Sequence, residues 1–398
     1  MRQVKHGFVC LSLALCASVL VLLVGPLPAS AYVGGWCTKS CWWPCSSASE
    51  KMRWLESPTF YAHSSLGSAS GCTEDSSASW RNDFNCAVSA WNNVGSATIA
   101  MSVTTDSEWV KDDIWDENDV AFLDESEFDP DDLAVTWYQW ICGCCVDTTI
   151  EEADIGFNDK WSSWVKGPSA PDMQSVSPSS RSFRATALHE IGHAVGLSWD
   201  SFGGHEDDEL ATMNSKYPSG GWYRGSSSST GRIWPHADDA EGLHWLNPDT
   251  AVGRDLAVAR TKVGSAGSAQ QVSPVTPNSV CAGNTVQLQY TVENRGNETL
   301  SGVYVKAYFS TSKWIDPSTA AGSTSLGSII LTPYAWATYT KTSVTVPSTL
   351  TPATYYVGVY IDPANTFTGE ASNINNNGIH LPVVNSSAST LTVTAPCP

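Results

Sequence analysis

The stretch HEIGHAVGLSWDSFGGHEDDELATMN runs from His189 to Asn214. Its lead-in, SRSFRATAL, continues into it with helical periodicity: Leu188, Ile191 and Val195 fall on one face. Serines at 179, 180 and 182 are available as N-caps. Gly196 suits the far end, where a left-handed residue can turn the chain away. On such a helix His189 and His193 stand at i and i+4 and project side by side, so two imidazoles can grip one metal ion. Glu190 lies next to the first of them, placed to take a proton from metal-bound water.

Longer pieces around this core carry a family resemblance. ATALHEIGHAVGL resembles the zinc helix of the metzincin proteases, and among them the matrixins. Glu152–Asn158 resembles their rim strand, Ala211–Asn214 their Met-turn, and HADDAEGLHWLNP (236–248) their closing helix. The resemblance spans residues 80–248. It implies an α+β domain, a twisted mixed sheet plus zinc helix, that hydrolyses peptide bonds. Glu190 would be the catalytic base, with Met213 a floor beneath a catalytic Zn²⁺. The residues at 153–157 alternate like an edge strand suited to holding an extended substrate.

The family pattern departs from this chain at Trp199, which stands where the third ligand is expected and cannot bind zinc. Two residues can replace it. Asp200 comes one position later, while His205 stands eight residues before Met213, the matrixin spacing. His205 is the preferred ligand, since imidazole is the usual third donor in such sites. Asp200 is the alternative. Choosing His205 identifies a six-residue insertion containing Ser201, Gly203 and Gly204. Tyr217, four residues past Met213, is a candidate for steadying the transition state, although the family places its tyrosine two residues past. No PRCGxPD-like inhibitory segment is present.

Residues 1–31 read as a secretory signal peptide: Arg2 and Lys5, an apolar run, then Ala29-Ser30-Ala31. The mature chain is therefore expected to be extracellular, with no membrane span. Its ten remaining cysteines read as disulfides, including Cys37, Cys41, Cys45 and the Cys142–Cys145 cluster, with Cys281 and Cys397 a natural pair. Residues 32–250 carry 34 acidic against 12 basic side chains, and residues 251–398 carry 6 against 7. That step divides the chain into a protease-like domain and a second domain. The acidity of the first argues against nucleic acid as a partner. Thirteen acids between Asp106 and Asp132 form a solvated loop or a Ca²⁺ site, with no EF-hand spacing.

Residues 251–398 alternate with period two. Val286, Leu288, Tyr290 and Val292 share a face, as do Val303, Val305, Ala307 and Phe309, and Tyr355, Val357, Val359 and Ile361. These patterns indicate an all-β Ig-like sandwich. DLAVARTKV, the block VQLQYTVENRGNETLSGVYVKAYFS, and YYVGVYIDPANTFTGEASNINNNG resemble CARDB domains over residues 253–394. That resemblance implies a module that contacts a surface or matrix ligand; a spacer is an equal reading. Three functions remain open: a secreted zinc endopeptidase acting on extracellular proteins, an adhesion protein with a silent protease-like domain, and a zinc amidase of cell-wall peptides.

Overall fold

A computed structural model describes residues 52–72, 79–94, 97–106, 117–129, 132–141, 148–161, 164–166, 181–197, 212–213, 235, 237–249, 253–259, 275–312, 317–370, 377–378 and 390–395. The described chain is rich in strands, with few helices. No helix among these residues is long and apolar enough to cross a membrane. The signal-like leader and the cysteines at 37, 41, 45, 142, 144, 145 and 397 lie outside them. Cys72 and Cys86 form a disulfide. Cys281 is disulfide-bonded too.

The N-terminal unit is built on a sheet of β1 (Met52–Arg53), β2 (Thr59–His63), β3 (Ser102–Asp106), β4 (Asn118–Leu123), β5 (Ala134–Ile141) and β6 (Thr148–Asn158). The order is β1-β6-β4-β2-β3, all parallel, and β5 runs antiparallel along the other side of β6. A short parallel pair, β7 (Trp164–Val165) with β8 (Arg181–Ser182), leads into the main helix. Helices α1 (Trp80–Asn92) and α2 (Phe183–Ala194) pack together beside the sheet, and α3 (Ala237–Leu246) closes the unit. Ser79 caps α1, its hydroxyl accepting from the Asn82 amide. Ser182 ends β8 directly before α2, and Ser179 and Ser180 fall outside the described residues.

The sheet corrects one expectation from the sequence. Residues 153–157 belong to β6, which has β4 and β1 on one side and β5 on the other. Every residue from 152 to 158 is buried, the pattern of an inner strand covered on both faces. Among the described residues the strands at the sheet's edges are β5 and β3. A Cβ added to Gly156 would meet the Trp137 ring at 2.6 Å. The missing side chain therefore seats an aromatic from the neighbouring strand and pins the β5 register.

The C-terminal unit is a two-sheet sandwich. One sheet holds β10 (Val275–Thr276), β12 (Thr285–Asn294) and β15 (Trp336–Thr345), with β9 (Leu256–Ala259) on β12. The other runs β11 (Ser279–Cys281), β18 (Thr390–Thr394), β16 (Ala353–Ile361), β13 (Leu300–Ser310), β14 (Gly322–Leu331), with β17 (Asn377–Gly378) on β16. All twelve residues placed inward by the period-two reading are buried in its core. The turn Asn294–Asn297 ties in the start of the unit. Arg295 donates its amide to the Asp255 carbonyl (2.7 Å), and Asn297 donates to Gly253 (3.0 Å). At Gly296 a side chain would collide with the Gly253 carbonyl. The cores of the two units are separate clusters; Tyr334 of the sandwich reaches the first, its ring 5.6 Å from that of His244 on α3.

Candidate metal centre

The HExxH residues sit on α2, which is tethered along its length. Phe183, its first residue, is fully buried at the hub of an aromatic cluster: Phe157 lies at 4.4 Å, Trp80 at 5.4 Å, Phe122 at 5.5 Å and Trp164 at 5.9 Å. One residue on, Arg184 pairs with Asp83 of α1 at 3.1 Å, both fully buried. Trp91 of α1 donates its indole N–H to the Leu188 carbonyl (2.8 Å), and Trp54 donates to Ala194 at the helix end (2.8 Å). A helix held by its start, middle and end presents its polar face in a fixed orientation.

That face carries His189 and His193, with ring centroids 4.7 Å apart and planes at 88°. His189 Nδ1 donates to the Thr212 carbonyl (2.5 Å), and His193 Nδ1 to the Leu197 carbonyl (2.9 Å). A carbonyl can only accept, so both Nδ1 atoms carry the proton and both Nε2 atoms keep a lone pair. These two bonds to backbone carbonyls fix the ring tautomer that a metal requires. The helix end supplies half of it. Leu197 N–H bonds to Gly192 and Gly196 N–H to His193, a Schellman motif with Gly196 at φ 98°. The turn that stops the helix thereby sets the carbonyl that orients its last histidine. Burial lowers the His193 pKa to about 4, opposed by the Leu197 bond, so the ring stays neutral at physiological pH.

Glu190 is 5% exposed. Burial raises its pKa to about 7; the Thr136 hydrogen bond works against the rise, and nearby Asp132 adds to it. Thr136 of β5 places its hydroxyl 2.8 Å from Glu190 Oε2 and 3.0 Å from the Glu190 carbonyl. A carboxyl with a pKa near neutrality is matched to taking up and giving back a proton at pH 7.

Thr212 and Met213 are held from α3. Asp239, buried in its first turn, accepts from the Thr212 amide (2.9 Å) and the Met213 amide (3.1 Å). Met213 is buried directly against α2, where a Cβ on Gly192 would collide with its sulfur and with the Trp91 ring. Thus Asp239 fixes Thr212, whose carbonyl fixes His189.

The structure brings His189, Glu190, His193 and Met213 together. His205, Asp200, Trp199 and Tyr217 lie outside the described residues. Of the acidic run, Asp124 caps a turn by accepting from Ser126, and Glu125 pairs with Lys160 at 3.4 Å. Among the described residues no three metal-ligating side chains group together, which leaves the α2 histidines as a pair. Sequence reasoning missed Thr136 and Asp239. Thr136 is in no motif, and its role comes from strand pairing 54 residues away from Glu190. Asp239 lay in a segment already singled out, but nothing in a linear sequence shows which acid of an Asp-Asp pair turns inward.

A family model for CARDB matches residues 270–380. Residues 270–380 are a CARDB domain. Two strands outside the matched span, β9 and β18, pair into the CARDB sandwich and complete it. Among solved structures, the solution structure of a Pyrococcus furiosus CARDB domain is 16% identical, covering 37% of this chain and 98% of that one at a TM-score of 0.22. Its crystal structure with di-metal ions is 16% identical, covering 38% and 100% at 0.22. A Methanosarcina acetivorans protein domain is 18% identical, covering 35% and 92% at 0.20. No curated protein matches the chain.

Proposed function

We propose that the chain is a secreted, zinc-dependent endopeptidase whose N-terminal unit is of metzincin, matrixin-like type, joined to the CARDB domain. The observation that carries this reading is the pair of α2 imidazoles: each has its Nδ1 committed to a backbone carbonyl, beside a buried carboxyl whose pKa stands near 7. That donor chemistry fits zinc. His189 and His193 would hold it through Nε2, with His205 as the third ligand and Asp200 as the alternative. Bound there, zinc supplies the Lewis acidity that polarises a carbonyl and acidifies water.

The protein's own groups do the rest. Glu190 accepts a proton from the attacking water and returns it to the leaving amine. Strand β5, beside α2, is the one along which an extended peptide lies. The CARDB domain contacts a surface or matrix ligand that keeps the enzyme near its protein substrates. The leader at 1–31 directs export.

The test is hydrolysis of fluorescent casein by the purified mature chain, with zinc measured by mass spectrometry. Activity should vanish with a chelator, return with zinc, and fall about 10²–10⁴-fold in Glu190→Ala. His205→Ala should lose zinc while Asp200→Ala keeps it. Casein left intact by the zinc-loaded protein would reject the peptidase in favour of a silent domain on an adhesion module, and cleavage confined to peptidoglycan would favour an amidase.

A further inference from the structure

We infer that Thr136 is a positioning residue for Glu190: its hydroxyl holds the carboxylate in the orientation from which it meets substrate. The inference rests on the peptidase reading above and adds a residue that no motif marks. The Thr136 hydroxyl touches the side chain and the carbonyl of one and the same residue, Oε2 at 2.8 Å and O at 3.0 Å. A contact of that kind closes a small ring around the Glu190 side chain and restricts its rotamers. Without it, the Glu190 side chain loses the hydrogen bond that selects among the rotamers of its three side-chain bonds.

The partner is suited to this task by its chemistry. A lysine or arginine at the same place would orient the carboxylate but neutralise its basicity. A hydroxyl orients it and leaves the charge in place. Asp132, which also acts on Glu190, is of like sign and repels the carboxylate, whereas the Thr136 hydroxyl bonds to it.

Thr136 is itself held to a register. Its neighbour Trp137 lies over Gly156, and residues 134 to 138 of β5 pair without a shift against 157 to 153 of β6. A slip by one residue would turn Thr136 away from α2 and point Trp137 or Val135 toward it. The strand proposed to carry substrate therefore also sets the base, and the two are placed by one set of hydrogen bonds.

The experiment compares Thr136→Val, which keeps the shape and removes the hydroxyl, with Thr136→Ser, which keeps the hydroxyl. Kinetics on fluorescent casein should show kcat reduced about 10- to 100-fold in T136V with KM and zinc content unchanged, since a misplacement of about 1 Å costs up to about 10²-fold. T136S should recover most of the loss. A crystal structure of zinc-loaded T136V should show the Glu190 carboxylate swung away from its original site. Full kcat in T136V, or a Glu190 side chain that does not move, overturns the inference. The crystallographic result decides it even where the wild-type protein leaves casein intact, an outcome that would count against the peptidase reading alone.

Discussion

Gly192 carries no side chain because Met213 and Trp91 already fill the space a methyl group would need. Gly192→Ala should therefore cost about 1–3 kcal/mol, as overpacking of a tight core does. The check is the guanidinium midpoint of the metal-free protein; a midpoint equal to that of wild type would refute the contact. Titration gives a second expectation at this scale. The His193 pKa is lowered to about 4 from 6.5, so the unfolded chain binds more protons between those values. That contribution to stability is present above pH 6.5 and is lost as pH falls toward 4. Glu190, raised from 4.5 to about 7, slopes the other way: its contribution is present below pH 4.5 and is lost as pH rises through 7. The two nearly cancel in the metal-free wild type. Chelated Glu190→Gln should expose the histidine alone, with a denaturation midpoint that climbs between pH 4 and 6.5. A flat profile would show that His193 is not held neutral by its surroundings.

Helix α2 was legible from spacing alone: an apolar face of Leu188, Ile191 and Val195 is buried, and Gly196 forms the expected turn. The edge of the sheet was not. Ala153–Phe157 reads as alternating, yet both of its faces are covered, because what lies over a strand depends on segments far away in sequence. The same reason hid the Arg184–Asp83 pair, which joins α1 to α2 across 101 positions. This pair supports a prediction about the two helices. Asp83→Ala strands a buried guanidinium and should destabilise by about 3–5 kcal/mol, whereas the double change Asp83→Leu with Arg184→Met should recover most of that loss. Thermal midpoints of the wild type and the two variants test it, and a double variant as unstable as the single one would argue against the charge as the cause.

For the molecule as a whole, the sandwich was the more readable half. Its strands alternate cleanly, and each inward set lies in one core separate from that of the N-terminal unit. Two cores predict two unfolding transitions in calorimetry. On the proposed zinc reading, a chelator should lower the transition of the N-terminal unit and leave that of the CARDB domain in place, since a bound metal stabilises only the unit that holds it. A single transition that shifts entire would mean the Tyr334–His244 contact couples the two units more tightly than their separate cores suggest.

The grip of Asp239 on Thr212 and Met213 also has a temporal side. Ribosomes release the imidazoles and the glutamate some fifty residues before this aspartate (His189 against Asp239). A nascent polypeptide stopped short of α3 has both histidines and the glutamate but lacks the Asp239 bond to Thr212, the residue whose carbonyl orients His189. The alignment of His189 thus waits for a late-made helix.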